Sequence, residues 1–234
     1  TVLSPFLRHG VLGFMDDILT HPATLEEHVE LLRQVLGILA QHGLKVKMSK
    51  CSFAQRKIDY LGHTISKEGV TTDESKIATV RDWPRPESAR ELRGFLGLAG
   101  YYHKFVRNFS VISRPLTDML KKGTLFIWTP LAETTFAELK QALIQATVLA
   151  LPNFNKKFVV ETDASARGIG AVPMQDIHPL AYLSKTLAPR NLALSAYEKE
   201  CLALILAERI APAGLLQPLP IPKRPWAVIS LDFI

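Results

Sequence analysis

The stretch Phe14-Met15-Asp16-Asp17-Ile18-Leu19 decides the reading of this chain. Two adjacent carboxylates sit between large apolar residues. Ionised carboxylates resist an apolar setting unless something positive neutralises them. A divalent cation does that, and hard oxygen ligands suit Mg²⁺. Paired metals are also how polymerases and nucleases align an attacking and a leaving oxygen. Taken alone, the dipeptide reads as a plain Asp-Asp turn between two short strands over residues 1–20. Val11, Leu12, Phe14 and Met15 lie on one side of that turn, Ile18 and Leu19 on the other.

Composition sets the outer limits. The chain has 234 residues, enough for one large or two small domains, and 47% of them are hydrophobic, enough for a packed core. Its net charge of +6 favours polyanionic partners. Cys51 and Cys201 lack metal-like spacing and read as reduced intracellular thiols. No run of residues is long and apolar enough to span a bilayer, so no membrane partner is expected. Residue 1 is Thr rather than Met, so the chain reads as a piece of a longer product.

Helical spacing of Leu25, Val29, Leu32, Val35, Leu36 and Leu39 predicts a helix over about 24–42. Thr24 and Glu27 form its capping box and Gly43 ends it. Short strands follow in 44–66, with Ile58, Tyr60 and Leu61 before a turn at Gly62. A helix over about 73–82 stops at Trp83-Pro84. A longer one starts near Ser88, with Leu92, Phe95, Leu96, Ala99 and Tyr102 as its apolar stripe. Further helices are expected over 110–121 and 131–147. Beyond Pro152, strands are expected up to Asp163, over Gly168–Met174 and over His178–Ser184. A helix over Ser195–Arg209 comes last. Pro212, Pro218, Pro220, Pro222 and Pro225 make the tail read as extended.

The motifs, taken in order, resemble the polymerase region of gypsy-type LTR retrotransposon polyproteins. Those that carry the resemblance are Phe14-Met15-Asp16-Asp17, Lys50-Cys51-Ser52-Phe53, Tyr60-Leu61-Gly62-His63, Trp83-Pro84, Leu92-Arg93-Gly94-Phe95-Leu96-Gly97-Leu98 and Glu161-Thr162-Asp163-Ala164-Ser165. The resemblance implies an α+β architecture. Residues 1–70 would be a partial reverse transcriptase palm, and 71–152 a helical thumb with connecting helices. Residues 153–209 would be the N-terminal half of an RNase H-like mixed sheet, and 210–234 a Pro-rich remnant of the linker entering an integrase. Asp232 matches an integrase metal ligand, and an internal deletion or splice join is inferred near Glu208–Ala211.

The implied activity is RNA-directed DNA synthesis, a nucleotidyl transfer, with endonucleolytic cleavage of RNA in hybrids. Both would use Mg²⁺, with Mn²⁺ as a substitute. By resemblance Asp16 and Asp17 are the metal ligands for synthesis, and Asp163 and Glu200 those for hydrolysis. Periodicity alone leaves Glu198 and Glu200 as alternatives, both bordering a stripe of Tyr197, Cys201 and Leu204; the family motif selects Glu200. Leu61 and Gly62 resemble the hairpin that grips a primer end. Arg90, Arg93, Gly97, Lys104 and Arg107 belong to the thumb's nucleic-acid face, which would hold an RNA–DNA hybrid or a primer-template duplex. The family's third polymerase carboxylate and its fingers lie upstream of Thr1, and further RNase H carboxylates belong to later elements. The chain by itself is therefore expected to be inactive without the rest of its parent polyprotein. The rival expectation is an inert relic that binds nucleic acid through a basic thumb. Pro173 departs from the family pattern in a strand and predicts a weakened hairpin or a bulge.

Overall fold

The computed structural model describes residues 2–7, 9–22, 24–153 and 156–210. The proline-rich tail, with its integrase-linker reading and Asp232, lies outside the described residues. The chain forms two compact units, Thr1–Ala78 and a second beginning at Thr79. Helices and antiparallel ladders make the architecture α+β.

The first unit opens with strands β1 (Val11–Phe14) and β2 (Asp17–Thr20), paired from Val11↔Thr20 to Phe14↔Asp17. Met15 belongs to the connecting turn rather than to the strand that its hydrophobicity implied. Helix α1 (Leu25–Gln41) begins at a complete capping box. The Thr24 hydroxyl accepts from the Glu27 N–H, and the Thr24 N–H donates to Glu27 Oε2, both at 3.2 Å. Two orphan amides of the first turn are thereby satisfied. Val35 and Leu39 of α1 pack with Leu3 and Val11. Leu25, Val29 and Leu36 of the predicted stripe stay exposed. A three-stranded meander follows, β3 (Lys57–Tyr60), β4 (His63–Ser66) and β5 (Gly69–Thr72), in that spatial order.

Helix α2 (Glu74–Arg81) leads into the second unit. Helix α3 (Ala89–Tyr101) is capped by the Ser88 hydroxyl, which accepts from the Glu91 N–H. Of its predicted stripe, Leu92, Phe95, Ala99 and the following Tyr102 are almost fully buried, while Leu96 is half-buried. The expected 110–121 helix is instead two short ones, α4 (Phe109–Ile112) and α5 (Arg114–Asp118). The cause is Pro115, which belongs in a helix's first turn and not in its middle. Helix α6 (Pro130–Ile144) starts on a Thr129 cap and packs Phe136 against Phe95, ring centroids 4.6 Å apart.

The last module is a sheet of β6 (Val159–Ala164), β7 (Gly168–Gln175), β8 (His178–Pro179) and β9 (Leu183–Thr186), covered by α7 (Ala196–Ile210). The expected single strand over 178–184 is therefore two strands, both paired to β7. β6 pairs with β7 alone and forms the sheet's edge among the described residues. Pro173 makes no bulge: the β6–β7 register runs unbroken from Val159↔Met174 to Ala164↔Ile169. In a strand, a residue's N–H and C=O point the same way. The Pro173 carbonyl accepts from Leu180, so its missing donor falls on the β8–β9 side, between those two short ladders, and costs β6 nothing.

Candidate functional site

Asp16 and Asp17 sit at the apex of the first hairpin. Only two residues, Met15 and Asp16, separate the strands, and Asp17 opens β2 opposite Phe14. Met15 has φ of +52° while Asp16 does not enter the left-handed region. A positive φ at the first loop residue alone is the II′ pattern, in which glycine is the usual occupant. Here a methionine holds it, 91% exposed, so backbone strain sits next to the carboxylates without any packing in return. Both aspartates are exposed.

The structure brings a second turn beside this one. β3 and β4 are joined by Leu61 and Gly62, with φ of +50° and +72°. Positive φ at both positions is the I′ signature, and Gly62 fills the one that glycine favours. The Tyr60 hydroxyl donates to the Asp17 carbonyl at 3.3 Å, tying the two turns together. Burial pushes the Tyr60 phenol up, and the Asp17 charge adds to the shift. Tyr60 belongs to the stretch that resembles a primer-gripping hairpin, and its bond to Asp17 is visible only in the tertiary structure.

On α3, Arg90, Arg93 and Gly97 lie on the exposed face opposite the buried stripe. A Cβ placed on Gly97 or Gly100 would meet nothing within 4 Å. These glycines lower helix propensity yet serve no packing inside the chain. Tyr101 is half-exposed next to them while Tyr102 is core. Lys104 differs from the other predicted contacts. It is half-buried, its Nζ lies 5.4 Å from the Phe105 ring centroid, and burial pulls its amine below the usual lysine range.

Asp163 is the penultimate residue of β6, and Ser165 builds the turn after it by bonding both the N–H and the carbonyl of Gly168. Its carboxylate is paired with Arg107, Oδ2 to Nη2 3.7 Å. Asp163 opposes Gly170, whose absent Cβ would lie 3.5 Å from Asn108 Oδ1. Asp163 therefore belongs to the sheet face that meets residues 107–111. Ala164 and Ile169, one step along, face the cluster of Ala203 and Leu206 on α7. The predicted α7 stripe is rotated: Tyr197 is half-exposed, and Ala203 and Leu206 are the buried residues. The rotation separates the two glutamates. Glu198 is exposed and caps the helix, its Oε2 accepting from the Ser195 N–H and hydroxyl at 2.8 Å. Glu200 is drawn inward, and its Oε2 is buried with no hydrogen-bond partner.

These are hard oxygen donors, and the orphaned Glu200 oxygen is what a bound cation would satisfy. Mg²⁺ commonly uses one or two carboxylates with water and substrate phosphates completing its shell, which fits the adjacent Asp16 and Asp17. Asp163 and Glu200 are not brought together, because Asp163 lies on the sheet face that meets residues 107–111 and α7 covers the opposite face. Among the described residues there is no group of three or more His, Cys, Asp or Glu placed to hold a metal. A cleft of about 460 Å³ lined by Thr79, Asp82, Trp83, Pro84 and Glu91 contains none of the predicted ligands.

Residues 2–65, which carry both turns, match the model of the reverse transcriptase (RNA-dependent DNA polymerase) family. Residues 128–209 match that of the RNase H-like domain found in reverse transcriptase. The retrovirus-related Pol polyprotein from transposon 297 of Drosophila melanogaster is 38% identical over 209 residues, 89% of this chain. The chain thus carries reverse transcriptase and RNase H-like sequence similar to that of retrotransposon polyproteins, consistent with an LTR retrotransposon polyprotein. The Tf2-3 polyprotein of the fission yeast Schizosaccharomyces pombe is 35% identical over 210 residues, 88% of the chain. The chain spans 20% and 16% of the length of those two relatives. Among solved structures it is similar to the foamy viral protease-reverse transcriptase dRH in complex with double-stranded DNA, with TM-score 0.81 and 26% identity over 90% of this chain and 38% of that one. The foamy viral enzyme in complex with RNA/DNA hybrid matches with TM-score 0.81 and 25% identity, over 89% of this chain and 29% of that one. The families concerned are RNA-directed DNA polymerases with endonuclease modules, typically dependent on divalent metal.

Proposed function

We propose that this chain forms the duplex-holding and metal-binding part of an RNA-directed DNA polymerase with an RNase H module. Residues 1–70 act as part of the palm, 71–152 as thumb and connecting helices, and 153–209 as the first half of the RNase H-like domain. The observation that carries the reading is the Tyr60–Asp17 hydrogen bond, which sets an acidic turn beside a glycine turn. Asp16 and Asp17 would hold Mg²⁺, or Mn²⁺ in its place, which would supply charge neutralisation for the transferring phosphoryl group. Leu61 and Gly62 let the backbone approach the primer's sugar-phosphate chain. Arg90, Arg93 and Arg107 contact duplex phosphates, while Gly97 leaves room for the strand between them; such contacts position without reading sequence. Lys104 adds charge from a half-buried site. Asp163 and Glu200 would supply carboxylates to a hydrolytic cation. Other parts of the polyprotein complete both sites.

Primer extension on a primed RNA template tests this, with Asp17→Asn as control. Mg²⁺-dependent extension that Asp17→Asn abolishes, in this chain or in one extended upstream, supports the reading. Extension that survives the substitution sinks it. A second reading, a nucleic-acid binder without chemistry, is favoured by the Arg107–Asp163 pair, which occupies a proposed metal ligand. Salt-sensitive duplex binding with no extension and no hybrid cleavage, even in the extended chain, would select it.

A further inference from the structure

Arg107 is not carried on a loose loop. The chain around it is fastened to the RNase H-like sheet on both sides. The Tyr182 N–H donates to the Lys104 carbonyl at 2.8 Å. Three residues beyond Arg107, the Ser110 N–H donates to Ser184 Oγ and the Ser110 hydroxyl donates to the Ser184 carbonyl. Val111 packs so closely over Gly168 that a Cβ there would not fit without a shift. Between these anchors Asn108 takes φ of +57°, which turns the backbone just after Arg107. The guanidinium is thus presented to Asp163 across a small cavity that Glu161 and Thr162 also line. Both partners remain more than half exposed, 68% and 58%. A solvated pair of this kind is weak and readily exchanged. A divalent cation on Asp163 would oppose the guanidinium directly, and the anions open to a freed arginine are Glu161, which lines the same cavity, and a duplex phosphate.

We infer that Arg107 is a two-position residue that couples the two activities. Without metal it is the counter-ion of Asp163; when a cation occupies that carboxylate, Arg107 turns to the duplex backbone. Loading the hydrolytic site then tightens the thumb's grip. The inference rests on the reading of Asp163 as a metal ligand, and one experiment separates the two. In a full chain carrying Asp16→Asn and Asp17→Asn, Mn²⁺ binding is followed by electron paramagnetic resonance. Binding of double-stranded DNA is followed across a salt series with and without Mn²⁺. Arg107→Gln should raise Mn²⁺ affinity by about two- to fivefold. It should lower the salt slope of DNA binding by about 1, and only when Mn²⁺ is present. In metal-free buffer Asp163→Asn should raise DNA affinity, and Arg107→Gln should erase that gain. A gain that persists in the double variant reflects general charge removal and overturns the inference. Unchanged Mn²⁺ affinity in Arg107→Gln, with Asp163→Asn abolishing Mn²⁺ binding, also overturns it and leaves the metal reading intact. Wild-type Mn²⁺ affinity in Asp163→Asn overturns the metal reading and with it the coupling.

Discussion

Met15 shows how one residue can carry strain for a site. Its φ of +52° costs an L-residue roughly 1–2 kcal/mol, and its side chain is solvated. Met15→Gly relieves that cost and adds back about 0.5–1 kcal/mol of backbone entropy. We predict a net stabilisation of about 0.5–1 kcal/mol in urea unfolding, together with slower primer extension because the carboxylates are held less firmly. A loss of stability would mean that the methionine makes a contribution its exposure conceals. Tyr60→Phe is the complementary test. It removes one donor to Asp17 and should cost about 0.5–1.5 kcal/mol. The phenol is pushed up in the folded chain, so its contribution is complete below the unfolded value of about 10 and is lost only as pH rises through the folded one. The loss from Tyr60→Phe should therefore be constant across neutral pH.

At the level of elements, much was legible where a local rule closes within a few residues. Thr24 with Glu27, Gly62 in a two-residue loop and the Leu92-Phe95-Ala99 spacing each define their element without help from afar. The α7 stripe was not legible, because Tyr197 and Cys201 look as buriable as Ala203. What decides is the close seat against Ile169, where a small residue fits and an aromatic ring does not. The break between α4 and α5 is legible in Arg114-Pro115, since proline belongs in a helix's first turn. The Tyr60–Asp17 and Arg107–Asp163 contacts join residues 43 and 56 positions apart, and no local pattern encodes them. Two predictions belong here. Gly97→Ala should stabilise α3 by up to about 1 kcal/mol, since its Cβ meets open space. Gly97→Leu should leave folding intact yet weaken duplex binding, measurable by fluorescence anisotropy. The Ser195–Glu198 cap should make α7 acid-sensitive. The Ser195 amide and hydroxyl hold the Glu198 carboxyl below its ordinary value. Its contribution is present above the unfolded carboxylate pKa and is lost as pH falls through the folded one. Helix signal from α7 should decline there in wild type and not in Glu198→Gln.

For the molecule as a whole, the two units differ in how much apolar surface they cover. The second has a continuous aromatic core, with Phe95, Tyr102 and Phe105 each 2% exposed or less. The first leaves Leu12, Phe14, Ile18, Leu25 and Val29 between 36% and 63% exposed, around a sheet of only two strands. A two-stranded hairpin is marginal on its own, and apolar surface of this extent marks an interface. The relatives carry far more chain than these 234 residues, so the cover we expect is further polyprotein sequence. Phe14 is the probe, because it is 54% exposed and directly precedes the strained turn. In this chain Phe14→Ser should shift stability by less than about 0.5 kcal/mol and reduce binding of an apolar dye. In a chain extended upstream by the segment equivalent to that of the relatives, dye binding should be low from the outset. Phe14→Ser should then cost about 1.5–3 kcal/mol, the value of a buried aromatic side chain. An equal, small effect in both chains would show that the hairpin's apolar face is not the surface that receives further polyprotein sequence.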